Sequence, residues 1–373
     1  MQKQLVCFLV FITLSTGLYS QKFWGNFKFW EEDSISKKDG IFLFPLLYYT
    51  PDTRLAAGAV GVYYFHTGDT LTSLGRETRL SYVKMLADYT QNKQFDAWSS
   101  WNVFSNEERY LFKGEFRFRN FPDRYYGVGN RTEKEQVERY SYDLFHVKLL
   151  GLKQVVPNLF VGLDYQFSYE YNFRLDPHGQ LAQGNVVGHR GGTGSGVGGV
   201  LTYDTRDNVV NAYSGMLFEA SSYVFNPVFG SDFNYTSINL TFNKYWEFKK
   251  DHVLALNSSV LMNYGGVPFL DMAKAGGGDL LRGYAENRFR DHHFIGAQLE
   301  YRFPVWWRFG MVVFTGVGDV FQQPKDLAFN SLKFSVGAGI RFNINKKERL
   351  NVRFDYGFGR NSDAFYIMLT EAF

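Results

Sequence analysis

Arg109-Tyr110-Leu111-Phe112-Lys113-Gly114-Glu115-Phe116-Arg117-Phe118-Arg119-Asn120 repeats with a period of two. One face reads Tyr110, Phe112, Gly114, Phe116 and Phe118; the other reads Arg109, Lys113, Glu115, Arg117 and Arg119, broken only by Leu111. Successive side chains of a strand point to opposite sides, so this segment is a strand with one apolar and one charged face. The pattern recurs. Val161, Leu163, Tyr165, Phe167, Tyr169 and Tyr171 alternate with Gly162, Asp164, Gln166, Ser168 and Glu170. Leu332, Phe334, Val336, Ala338, Ile340 and Phe342 alternate with polar residues and glycines, and Leu350, Val352, Phe354, Tyr356 and Phe358 alternate with Asn351, Arg353, Asp355 and Gly357. A soluble β-sandwich also alternates, but its strands are usually about five or six residues long. These runs reach about ten to fifteen residues. Charge along the polar faces suits a water-filled lumen. The pattern predicts an all-β fold, a transmembrane antiparallel β-barrel.

Candidate strands number about sixteen, at roughly 41–50, 56–66, 78–90, 93–104, 108–120, 139–153, 158–174, 193–205, 214–225, 232–246, 252–264, 292–303, 308–321, 331–343, 349–359 and 363–373. An even count suits a bacterial single-chain barrel. With a periplasmic N-terminus, the long connections 121–138, 175–192 and 265–291 all fall outside the cell, and those on the other side are shorter, 67–77 being the longest. That asymmetry is usual for outer-membrane barrels.

The beginning of the chain sets the expected compartment. Lys3, the apolar run Leu5 to Ile12 extended by Leu14, and the small polar stretch Ser15-Thr16-Gly17 have the anatomy of a cleaved secretory signal at 1–20, cut after Ser20 or after Gly17. Cys7 lies inside the apolar run, not after it, which excludes a lipoprotein signal and leaves the mature chain without cysteine. Residues 21–40 form a short periplasmic segment and 41–373 the barrel, which leaves no room for a separate periplasmic domain. Mean hydropathy is −0.26, yet aromatics make up 19% of the chain, a composition that lipid-facing bands and interface girdles explain. A net charge of +3 is too small to argue for nucleic acid.

Several motifs, in order, resemble the barrel of the BamA-type (bacterial surface antigen) family of outer-membrane assembly and translocation proteins. Gly276-Gly277-Gly278-Asp279-Leu280-Leu281-Arg282-Gly283-Tyr284 is similar to the Arg-Gly-aromatic motif at the tip of that family's sixth extracellular loop, and it falls between strands eleven and twelve of the count. Tyr49 to Thr53 resembles the first hairpin, Asp204-Thr205-Arg206-Asp207-Asn208 the turn between strands eight and nine, and Glu300-Tyr301-Arg302-Phe303-Pro304 the end of strand twelve. Phe365 to Phe373 resembles the last strand with its terminal phenylalanine, which implies a membrane-insertion signal carried by Phe365, Ile367, Leu369 and Phe373. Two departures stand out. The Phe-x-Asp-x-Gly motif of strand thirteen appears as Phe314-Thr315-Gly316-Val317-Gly318, with Gly316 in place of the acid. The family's periplasmic POTRA repeats are missing, so the resemblance is to a POTRA-less member.

The resemblance places the sixth loop inside the lumen, where it must be fixed. Arg282 offers a planar fork of donors suited to a carboxylate, Gly283 permits close backbone approach, and Tyr284 can stack on the wall. In strand twelve Ile295, Ala297, Leu299, Tyr301 and Phe303 share the apolar face, so Gln298, Glu300 and Arg302 point inward. Glu300 is therefore the expected partner of Arg282 in a lock of Leu281, Arg282, Gly283, Tyr284 and Glu300. Asp319 lies on the opposite face from Gly316, which leaves one acid where the family has two. In the last strand Phe365, Ile367, Leu369, Glu371 and Phe373 share the lipid parity, with Tyr366, Met368 and Thr370 facing the lumen.

Other constellations have plain readings. His292 and His293 beside Asp291 suggest a metal, but neighbours on a strand face opposite ways. Gly188 to Gly199 lacks the following Lys-Ser/Thr and helix of a phosphate loop. The resemblance implies insertion or translocation of outer-membrane proteins, or a subunit of such an assembly, in a Gram-negative outer membrane. The expected partners are outer-membrane lipid or lipopolysaccharide and client barrels, with no cofactor. A passive diffusion channel is the alternative. An outer-membrane lipid-modifying enzyme is weaker still, since His66, His146, His178, His189, His252, His292 and His293 are scattered and no nucleophile motif accompanies them.

Overall fold

The structure is a computed structural model that describes residues 39–50, 54–67, 78–133 and 135–373. The expected signal at 1–20, nearly all of the segment 21–40 and the first hairpin turn lie outside the described residues. The chain opens with β1 (Gly40–Thr50), β2 (Arg54–Phe65), β3 (Ser81–Thr90), β4 (Phe95–Ser105), β5 (Tyr110–Tyr125) and β6 (Glu138–Val156). It continues with β7 (Leu159–Arg174), β8 (Gly192–Asp204), β9 (Gly215–Phe225), β10 (Tyr235–Lys249) and β11 (His252–Gly265). A short ribbon, β12 (Ala273–Ala275) with β13 (Phe289–Asp291), interrupts the series within the sixth loop. The last strands are β14 (His293–Trp306), β15 (Phe309–Phe321), β16 (Lys333–Asn345), β17 (Leu350–Gly359) and β18 (Ser362–Leu369). All but the ribbon form one 16-stranded sheet in chain order, each strand antiparallel to the next. Thus β14 to β18 are strands twelve to sixteen of the sequence count.

Hairpin after hairpin, the alternation decides which face goes where. In β5 Phe112 is 47% exposed while Leu111 next to it is 1% exposed. Lys113 on the inner face reaches Glu219 of β9 at 2.6 Å, four strands away, and Arg117 pairs with Asp96 of β4 at 2.6 Å. Leu163 and Trp306 are 75% and 71% exposed on the outer face. In water each such side chain would forgo roughly 1.5–3 kcal/mol of burial, and an outer face so rich in them has the composition of a lipid-facing barrel wall. Trp306, Trp307, Phe309 and Phe342 stack on one another around the β14–β15 turn, with Phe309 and Phe342 rings 5.2 Å apart. Such a group suits a girdle at the membrane interface.

The sheet curls until its ends approach. Lys84 of β3 donates to Thr370, just past β18, at 3.1 Å, and Asn345 of β16 donates to Tyr64 of β2 at 2.8 Å. Among the described residues no backbone ladder joins β1 to β18. The connections expected outside, between β5 and β6, β7 and β8, and β11 and β14, lie at one end. The β5–β6 hairpin runs longer than expected, to Tyr125 and Glu138.

The inner face departs from the expected water-filled lumen. Tyr125, Tyr140, Tyr142, Phe225, Tyr235 and Phe269 belong to a buried apolar cluster beneath the loops. Strand eight makes room for it. A Cβ at Gly196 would stand 2.7 Å from the Phe225 ring, and one at Gly198 would stand 2.3 Å from the Tyr223 ring. At the opposite end the connection 205–214 lies across the opening. Asp207 there accepts from Arg349 of the β16–β17 turn at 2.6 Å, and Asn211 accepts from Arg302 at 3.4 Å.

Candidate functional site: the anchored sixth loop

Arg282 is fully buried and sits between two strands that are not neighbours. Its Nη2 donates to Glu300 of β14, and its Nη1 donates to Asp355 Oδ2 of β17 at 2.6 Å. The guanidinium carbon stands over the Phe314 ring of β15, 3.5 Å from its centroid. Strand thirteen thus offers the aromatic ring of Phe314 but, with Gly316 at the acid position, no carboxylate; the second carboxylate comes from strand fifteen. This corrects the expectation of a single acid: Asp355 supplies the other. Gly316 and Gly318 face the same side as Phe314. Gly316 pairs with Gln298 and Ser335, and a Cβ at Gly318 would stand 2.8 Å from the Ile295 carbonyl oxygen. Asp319 instead accepts from Ser331 at 2.6 Å and from Asn130 at 3.1 Å, away from Arg282.

The backbone of the motif is seated by glycines on both sides. Gly283 has φ +117°, and a Cβ there would lie 2.5 Å from the Phe358 carbonyl carbon. On β17, a Cβ at Gly357 would meet the Arg282 carbonyl at 2.6 Å, and one at Gly359 would meet the Tyr284 ring at 2.6 Å. Leu281 is buried at φ +56°. Tyr284 donates its hydroxyl to the Phe334 carbonyl at 3.0 Å and accepts from the Arg360 backbone N–H at 2.9 Å. Tyr366 of β18 closes the seat: its hydroxyl accepts from the Gly283 N–H at 3.0 Å and donates to the Tyr284 carbonyl at 2.9 Å.

Charge around the loop is matched as a network, not a pair. Asp355 also accepts from Arg341 at 2.5 Å and from Arg353 at 3.4 Å. Arg341 continues to Glu371 at 2.7 Å, Arg353 to Asp279 at 2.7 Å, and Glu300 accepts from Arg302 at 2.8 Å. Four arginines thus face four carboxylates, of which Glu300, Asp355 and Glu371 are buried and Asp279 is exposed. Buried charges persist only when paired and hydrogen-bonded in this way.

The terminal residues differ from their strand parity. Phe365 and Ile367 are exposed on the outer face, and Leu369 ends β18 on the same side. Thr370 then adopts φ +72° and donates its N–H to the Asn351 carbonyl at 2.8 Å, which breaks the alternation. Glu371 turns inward onto Arg341 and Asn351 instead of facing lipid. Phe373 also lies inside, with its ring 6.2 Å from that of Tyr245 and its carbonyl oxygen accepting from Arg302 at 3.1 Å. Alternation is a property of extended backbone, and one left-handed residue cancels it.

The histidine pair is divided. His292 contacts Asp291 at 3.2 Å, while His293 accepts from the Asn263 N–H at 3.2 Å. Among the described residues no group of three His, Cys, Asp or Glu side chains could hold a metal ion.

Residues 73–373 match the family model of the Omp85 superfamily domain. No curated protein matches the sequence. Among solved structures, BamA from Haemophilus ducreyi lacking POTRA domains 1-3 is similar at a TM-score of 0.55 and 13% identity, over 90% of this chain and 70% of that one. Pseudomonas aeruginosa OccK10 (OpdN) aligns over 89% of this chain and 96% of its own at 10% identity, but with a TM-score of 0.33, too low to carry an argument. The likeness to the first is one of fold, an antiparallel barrel sheet of the same kind. The family match covers most of the chain's length, and by it this chain is a member of the Omp85 superfamily.

Proposed function

We propose that this protein acts in the insertion or translocation of proteins at a bacterial outer membrane, as an insertase or as a subunit of such an assembly. The observation that carries the reading is the anchored loop: Arg282, held by Glu300 and Asp355, fixes the loop between β11 and β14 against the concave side of the sheet in an Omp85 domain. A lumen crossed by that loop serves solute diffusion poorly. The work would then fall to the edges of the sheet. β1 and β18 stand at the two ends of the strand order, and an edge can pair with the strand of a client by β-augmentation. The Tyr366 contacts supply a link, because the same strand that forms this edge also holds the anchored loop. The loop arrangement likewise supports an orientation with the long connections outside the cell and lipid, including lipopolysaccharide, around the wall.

Depletion followed by quantitative outer-membrane proteomics tests the role. A fall in other barrels upon depletion supports insertion; an unchanged barrel inventory with altered small-solute uptake would favour the diffusion channel.

A further inference from the structure

The outer end of the molecule holds a cavity of about 960 Å³ between the sixth loop, the connection between β5 and β6, the start of β16 and the β17–β18 turn. Tyr284 and Phe289 form part of its lining, and Arg131, Arg288, Lys333 and Arg360 bring positive charge to it. Arg288 is 8% exposed, and its hydrogen bonds go to neutral oxygens, the Thr132 hydroxyl at 2.7 Å and the Thr132 carbonyl at 2.6 Å. The rings of Phe289 and Tyr126 flank it at 4.4 and 4.8 Å. Lys333 is 9% exposed, and its Nζ donates to the Ser331 carbonyl at 2.5 Å and stands 3.5 Å from Asp319, a carboxylate already shared with Ser331 and Asn130. Arg360 is exposed at the rim. Two acids also line the cavity. Glu135 is exposed, and Asp363 accepts from the Tyr356 hydroxyl at 2.7 Å. Burial lowers the pKa of the Arg288 guanidinium, and Glu135 offsets this only in part.

A buried arginine without a carboxylate in contact is costly unless an anion completes it. We propose that this vestibule binds a phosphorylated sugar, with its phosphoryl group held by Arg288, Lys333 and Arg360 and its ring against Tyr284 and Phe289. A phosphoryl group carries about −1.5 to −2 charge and three strong acceptor oxygens, which suits two guanidiniums and an ammonium better than a single carboxylate would. Aromatic walls with a few convergent polar groups are the usual composition of a ligand site. Free sugar phosphates and the phosphorylated headgroup of lipopolysaccharide share this chemistry. The cavity reaches Ser362 and Asp363 at the start of β18, but ligand binding and client insertion are read by separate assays, so either reading can fail without the other.

Titration of the full-length protein in detergent micelles tests the proposal, with glucose 1-phosphate, glucose and inorganic phosphate as probes. Saturable binding of glucose 1-phosphate is expected, displaced by inorganic phosphate and absent for glucose. R288Q should weaken it at least ten-fold, and R360Q, at an exposed position with little bearing on folding, several-fold. R349Q, at the other end of the barrel, should leave it unchanged. Lipopolysaccharide separates the sources: binding that dephosphorylation abolishes assigns the lipid headgroup, and binding of glucose 1-phosphate without any of lipopolysaccharide assigns a soluble ligand. Equal binding by glucose and glucose 1-phosphate, no saturable binding of either, or undiminished binding in R360Q and folded R288Q overturns the proposal.

Discussion

Asp355→Asn is the sharpest perturbation of the anchored loop, because this one carboxylate accepts from Arg282, Arg341 and Arg353. The substitution keeps shape and removes charge. Arg282 then retains only Glu300, Arg341 only Glu371, and Arg353 only Asp279, a carboxylate whose side chain is 68% exposed. Four arginines are left facing three acids. Breaking a buried pair in this way costs roughly 3–5 kcal/mol, since the stranded charge is not rehydrated. Arg282→Ala should cost less than that, because Glu300 keeps Arg302 and Asp355 keeps both of its other arginines. Unfolding in denaturant from detergent micelles, scored by the loss of heat-modifiable mobility, measures each single variant and the double. The two share a contact, so their effects should couple by about 0.5–3 kcal/mol. Glu300→Gln with Asp355→Asn should couple as well, through the arginine between them. Additive losses in both cycles, within about 0.5 kcal/mol, would refute the argument and return Arg282 to the status of an ordinary loop charge.

Three further outcomes follow from the geometry. Gly283→Ala should lose more than about 1 kcal/mol, since it combines a disfavoured φ of +117° with a Cβ 2.5 Å from the Phe358 backbone; limited proteolysis of intact protein should then cut within 276–286, and an uncut loop contradicts the seat described. Reconstituted in planar bilayers, the protein should give small, erratic openings, and deletion of residues 276–286 should give a larger, steady conductance; a large steady conductance before deletion would show that the loop does not block passage. Cysteine at Val228, 85% exposed in a loop of the outer end, should react with an impermeant thiol reagent on intact cells, and cysteine at exposed Lys347 in the β16–β17 turn should not. Labelling at 347 alone would invert the orientation.

The strand plan and the sidedness of each strand were legible in the sequence, because alternation is local: whether Phe112 or Lys113 faces lipid depends only on extended backbone and parity. The same parity pointed Glu300 inward, and the position of Leu281-Arg282-Gly283-Tyr284 between strands eleven and twelve marked the loop that meets it. Asp355 was visible as a member of an inward face and nothing more. Its meeting with Arg282 bridges β14 and β17, with two strands between, and only the curvature of the sheet brings that pair to one side chain. Gly357 and Gly359 read as ordinary polar-face positions until the loop backbone is seen lying against them. The aromatic filling of the concave side was likewise hidden, since an inward tyrosine such as Tyr142 looks the same in sequence whether water or Phe173 lies opposite. The end of the chain failed for a different reason: parity counts correctly only while the backbone stays extended, and Thr370 at φ +72° turns Glu371 and Phe373 inward. Local periodicity is set by one bond geometry repeated, and so sequence carries it; contacts between strands that are not neighbours depend on how the whole sheet curls, a property of no single segment.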